Sequence, residues 1–138
     1  MNTAPSRTRT ILRYIAAFGF IIAGALHFIA PGQYKKIIPP QFPAPAALVA
    51  ISGVAEIAGG IGLLIPTLRK AAVWGLIALL IAVFPANIYM ATSHEKIPNL
   101  HIPPWLLWLR LPMQILFIAC IWYVRPIPAA SSASNRRI

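Results

Sequence analysis

Acidic side chains are almost missing: Glu56 and Glu95 are the only two among 138 residues, and charged residues of both signs make up 10%. A soluble domain carries about 25% charged residues because its surface must face water. Hydrophobic residues make up 59% here, so the chain cannot cover a globule with charge. Lipid must serve as its solvent. Cysteine is nearly absent too. Cys120 stands alone in the last apolar run, which excludes an intramolecular disulfide, a CxxC redox pair and a cysteine-built metal site. It reads as a small apolar filler on a membrane helix. No nucleotide-binding glycine motif, haem-attachment motif or nucleophile–base pair occurs.

What remains is apolar and basic. The net charge of +10 would suit a nucleic-acid partner, but the distribution argues against one. Apart from Arg110, its Lys and Arg residues are scattered across the tails and the ends and connections of the apolar runs, as expected for membrane topology. The basic start flows into an apolar run of about 20 residues, long enough to cross a hydrocarbon core of roughly 30 Å and too long for a signal-peptide core. A retained span is therefore expected.

Four such runs occur, at about 11–30, 46–66, 71–91 and 105–124. Only helices and closed barrels satisfy the backbone inside lipid. The runs are twice the length of barrel strands and do not alternate, so the expected fold is all-α, an integral membrane four-helix bundle. Residues 1–10 read as a basic tail, 11–124 as the helical domain and 125–138 as a disordered tail. The tight turn at 67–70 makes the second and third spans antiparallel neighbours. Five prolines at 31, 39, 40, 43 and 45 forbid a continuous helix in the first connection, leaving room for one interfacial turn at 33–38.

Orientation follows from the basic residues. One side receives Arg7, Arg9, Arg13, Arg69, Lys70, Arg125, Arg136 and Arg137, the other Lys35, Lys36 and Lys96. Eight against three places both termini in the cytoplasm. The proline-rich loop and the His-containing loop then face outward.

Glu56 lies in the middle of the second span. A charge at that depth costs at least about 2.5–3.5 kcal/mol on insertion scales, which makes the residue a functional candidate. Ser52, Gly53, Gly59 and Gly60 surround it with small side chains that let another helix approach. Each other span adds a polar group: His27 in the first, Asn87 in the third, and Arg110 and Gln114 one turn apart in the fourth. All fall in the outer half of the membrane, with Glu56 and Gln114 deepest, which implies an inward-facing polar cavity open to the outside. Pro85 and Pro112 free the carbonyls of Ile81 and Trp108 and mark two kinks beside it.

Each residue also has a plainer reading. Glu56 and Arg110 form a buried ion pair that fixes packing, His27 bonds a carbonyl at the interface, and Asn87 and Gln114 are interhelical glue. His94 and His101 flank Glu95 at a spacing of seven, which fits no standard ligand pattern, so no metal is expected. Trp105, Trp108, Trp122 and Tyr123 read as interfacial belt residues.

The order of these segments resembles the DoxX family of small four-helix bacterial membrane proteins. The matching residues are Gly24, His27 and Phe28 with Pro31, Pro39 and Pro40; Ser52, Gly53 and Glu56 with Gly60 and Gly62; Phe84, Pro85, Asn87 and Tyr89; and Arg110, Pro112 and Gln114. The resemblance covers about residues 14–122. The resemblance implies a bacterial inner-membrane protein, in a family where some members are associated with quinol-oxidising or thiol-redox systems. An animal branch looks like receptor-assembly chaperones. A lone cysteine departs from the thiol-redox pattern.

Two functions follow. In the first, the cavity binds a quinone or similar amphiphile for a membrane redox partner protein. There Glu56 accepts or delivers a proton, His27 relays it outward, and Arg110, Asn87 and Gln114 orient the ligand's oxygens. At most the chain is then an oxidoreductase-associated subunit. In the second, it is a non-enzymatic scaffold or assembly factor docking partners on the proline-rich loop or the small-residue faces, with a homo-oligomer left open. A transporter is disfavoured by the tight cavity and the lack of an internal repeat.

Overall fold

The computed structural model describes residues 6–127. It contains α1 (Arg7–Ile29), α2 (Pro31–Lys36), α3 (Pro45–Leu64), α4 (Arg69–Thr92) and α5 (Pro104–Tyr123), with a single 3-10 turn at His94–Lys96. No strand occurs among the described residues. Helices α1, α3, α4 and α5 are each long and apolar enough to cross a membrane. Their outward faces carry bare apolar side chains, such as Ile15, Ile22, Ile115 and Leu116, each more than 60% exposed. Water would penalise such a surface, whereas lipid tails match it. The chain is an all-α bundle of four helices built for a bilayer.

The helix ends follow local chemistry. Ser6 caps α1 by accepting from the Arg9 N–H at 3.2 Å, so the helix begins four residues before the expected apolar start at 11. Arg7, Thr8, Arg9 and Thr10 are helical although polar. Prolines stand in the first turns of α2, α3 and α5, where no donor is lost. At the turn between α3 and α4, Arg69 Nε donates to the Leu63 carbonyl at 3.1 Å, a cation satisfying the C-terminal end of α3. Residues 1–5 and 128–138, including Arg136, Arg137 and most of the expected tail, lie outside the described residues.

Each long helix packs antiparallel on the one before it, and α1 meets α5 more sparingly. The α1–α3 seam is the tightest. A Cβ on Gly24 would stand 2.6 Å from the Gly53 carbonyl oxygen, and one on Gly60 the same distance from the Ala17 carbonyl oxygen. Neither obstacle is a side chain that could swing away. Two apolar clusters form the interior. One, toward the termini, joins Ala17, Leu63, Val73, Leu76 and Ile121. The other, toward the loops, joins Met90, Ala91, Ile97 and Leu107. Between them lies a layer with Glu56 and Gln114, the depth expected for the polar groups.

Adding a methyl at Gly24 or Gly60 should therefore pry α1 from α3. Gly24→Ala and Gly60→Ala are expected to lower stability in detergent by about 1–3 kcal/mol. Gly19→Ala, where a Cβ meets nothing within 4 Å, should be neutral or gain about 0.5–1 kcal/mol from helix propensity. Thermal unfolding followed by gel filtration checks the contrast.

Candidate functional site

The polar layer divides into two groups. The first is built where α1, α2 and α3 meet. Close approach at Gly24 and Gly53 brings the third turn of α3 against the last turns of α1, and Glu56 Oε2 comes to lie 3.6 Å from His27 Nδ1. That nitrogen is 2.9 Å from the Ala23 carbonyl oxygen. A carbonyl only accepts, so Nδ1 carries the proton and Nε2 of the neutral ring is free to accept one. His27 is buried. Glu56 Oε2 is also shut away from solvent and has no hydrogen-bond partner among the described residues. A buried carboxyl oxygen in that state carries an unmet desolvation cost.

Tyr34 completes this group. Its ring stacks on His27 with centroids 3.9 Å apart and planes inclined by 26°. Sequence reasoning missed it, treating 33–38 only as an interfacial turn. The signal was faint: one aromatic ahead of Lys35 and Lys36, on a turn that folds back after Ala30. Burial first, and then the Glu56 carboxylate, push the Tyr34 hydroxyl above its ordinary pKa, while Arg110 pulls the other way. The phenol thus keeps its proton at neutral pH and can donate a hydrogen bond.

The second group ties α4 to α5. Asn87 Nδ2 donates to Gln114 Oε1 at 2.6 Å, and Gln114 Nε2 donates to the Leu80 carbonyl. Pro85 lies inside α4 and Pro112 inside α5. The carbonyl that Gln114 takes is one residue before Ile81, whose donor Pro85 removes. Gln114 is buried and spends one amide hydrogen and its oxygen within the bundle. This is the interhelical glue of the plainer reading.

Arg110 belongs to neither group by direct contact. It is exposed, and the ion pair with Glu56 is not formed: the side chain paired with Glu56 among the described residues is His27. The positive charge of Arg110 nonetheless opposes the upward shift of the Tyr34 hydroxyl. No cluster of three His, Cys, Asp or Glu residues that could hold a metal occurs among the described residues. His94 Nδ1 instead meets the Ala91 carbonyl at 3.2 Å, closing the end of α4. Cys120 is half-buried and free.

Four apolar spans around a partly unsatisfied polar layer define a small polytopic membrane protein. Within that class, residues 16–125 match the family described as a domain of unknown function, DUF8561. The chain belongs to that family. No curated protein matches it, and no solved structure does.

If Asn87 and Gln114 act as glue, breaking their bond should cost stability and nothing more distant. Gln114→Leu and Asn87→Leu are each expected to destabilise the bundle, with a coupling of about 0.6–2 kcal/mol between them. A double-mutant cycle on unfolding in mixed micelles measures it.

Proposed function

We propose that the chain is a multi-pass protein of the bacterial inner membrane, with both termini cytoplasmic, that binds a quinone or similar amphiphile beside Glu56 in association with a redox system. The observation that carries this reading is the Glu56 carboxyl. One of its oxygens is buried without a hydrogen-bond partner among the described residues, beside an imidazole that is itself stacked on a phenol. A quinol hydroxyl or a headgroup O–H supplies the donor that the bundle withholds. Tyr34, holding its proton, offers a donor to a carbonyl oxygen of the same ligand.

Such a ligand has a path from the side. Contacts between α1 and α5 gather toward the termini, where Ala17 and Ile121 share a cluster and the Arg9 guanidinium lies over the Tyr123 ring at 4.9 Å. Toward the loops, the apolar cluster among the described residues contains no residue of α1. A long apolar tail there would lie in lipid while its head reached the polar layer. In this reading Glu56 accepts or delivers the proton that accompanies quinone chemistry, and His27 relays it through Nε2. Arg110 steers the head from the rim. Asn87 and Gln114, occupied with each other and with Leu80, hold the wall. The resemblance to the DoxX family adds the redox association.

The second reading, a scaffold or assembly factor without chemistry, is favoured by the same Asn87–Gln114–Leu80 chain. It accounts for two of the five candidate residues as packing alone.

Mass spectrometry of quinones and lipids co-purified in mild detergent separates the two. Wild type should carry an enriched amphiphile that falls about tenfold in Glu56→Gln, the weakening of one buried hydrogen bond when its carboxylate acceptor becomes an amide. Tyr34→Phe, which keeps the stacking surface, should show a smaller loss. Equal background amounts in all three proteins would return the layer to packing and the function to partner proteins.

A further inference from the structure

At the opposite end of the bundle, where α1 begins and α5 ends, a cleft of about 180 Å³ is lined by Arg9, Arg13, Arg69 and Arg125 together with Val124 and Ile127. Loop-charge topology accounts for basic residues at a membrane surface. It does not account for four guanidinium groups converging on one cavity, with one of them buried. Arg13 is only 8% exposed, and its Nε has no hydrogen-bond partner among the described residues. The Nε of Arg9 is likewise buried and unpartnered. No acidic side chain answers them: Glu56 belongs to the polar layer and Glu95 to the loop at the far end.

The cleft is also held in shape. Arg69 is fixed through Nε to the Leu63 carbonyl. Arg125 donates through Nη1 to the Trp122 carbonyl at 2.9 Å and lies over the Trp122 ring at 4.0 Å. Arg9 lies over Tyr123. Each is anchored by one edge or face, leaving other N–H groups for an anion. Planar guanidinium forks match phosphate oxygens in pairs, and basic pockets between membrane helices are where anionic headgroups settle.

We propose that this cleft binds a phosphate group, and that its position at the membrane surface favours a phospholipid headgroup as the source. The site is separate from the Glu56 layer and independent of the function assigned there. Four arginines line the cleft that takes the headgroup, while the exposed Ile127 meets the first carbons of its chains.

Native mass spectrometry of the full chain with equimolar phosphatidylglycerol and phosphatidylcholine tests this. Wild type should retain the anionic lipid preferentially. Arg13→Gln and Arg125→Gln should each cut that preference about tenfold, the loss of one charge-assisted hydrogen bond to the phosphate. Lys70→Gln, a change to a charge at the same end that does not line the cleft, should leave it within about twofold, because a solvated charge outside the cleft is screened. In a second arm, inorganic phosphate is compared with chloride at equal ionic strength for thermal stabilisation of the lipid-free protein. Stabilisation there that Arg125→Gln removes, without any lipid preference, still supports a phosphate site and assigns a soluble source. A blank in both arms, or an equal loss in Lys70→Gln, overturns the proposal. Arg125 is less buried than Arg13, so its variant carries the test if Arg13→Gln fails to fold.

Discussion

Lipid tails are as apolar as leucine, so helices in a bilayer gain little from hiding apolar surface against one another and must be held by close fit. Here that fit is the approach of α1 and α3 at Gly24, Gly53 and Gly60. It sets the relative height of the two helices, and nearly everything polar depends on that height. A slip of one turn would carry Glu56 past His27 and into an apolar wall. The glycines matter as the means by which an expensive acid meets an imidazole.

The rest of the interior repeats the same economy. Dry clusters occupy both ends, and polar groups are confined to the layer between them. Within that layer the two halves differ in kind. On the α4–α5 side, Asn87 donates to Gln114 and Gln114 to a carbonyl, and no fully buried side-chain amide atom lacks a partner among the described residues. On the α1–α3 side, an oxygen goes unanswered and an aromatic pair stands over it. Satisfied polar groups hold a structure in place, whereas an unsatisfied one is open to a visitor.

Much of this was legible in the residues. Period-free apolar runs bounded by basic turns gave four helices, and the depth of Glu56, His27, Asn87 and Gln114 followed from counting along them. Helix ends were less legible. Threonine and arginine carry no apolar signal, and only the cap at Ser6 marks where α1 begins. Partner choice was less legible still. Glu56 and Arg110 looked complementary by charge, yet Arg110, one turn nearer the loops than the buried Gln114, stands exposed. Tyr34 reached the site because α2 folds back after Ala30. The cleft at the termini was hidden for a related reason: its arginines come from α1, the start of α4 and the segment just past α5, and each looked like an ordinary topology signal.

The sequential packing of the helices also bears on how the protein is made. Every long helix rests mainly on the one synthesised before it, so α3 can dock on α1, and α4 on α3, while the chain is still leaving the ribosome. Helix α5 alone has two neighbours to find, α4 at once and α1 across the whole length of the chain. The contact of Arg9 with Tyr123 joins nearly the first described helical residue to the last. It is the clasp of the bundle, fastened only after translation has delivered its second half.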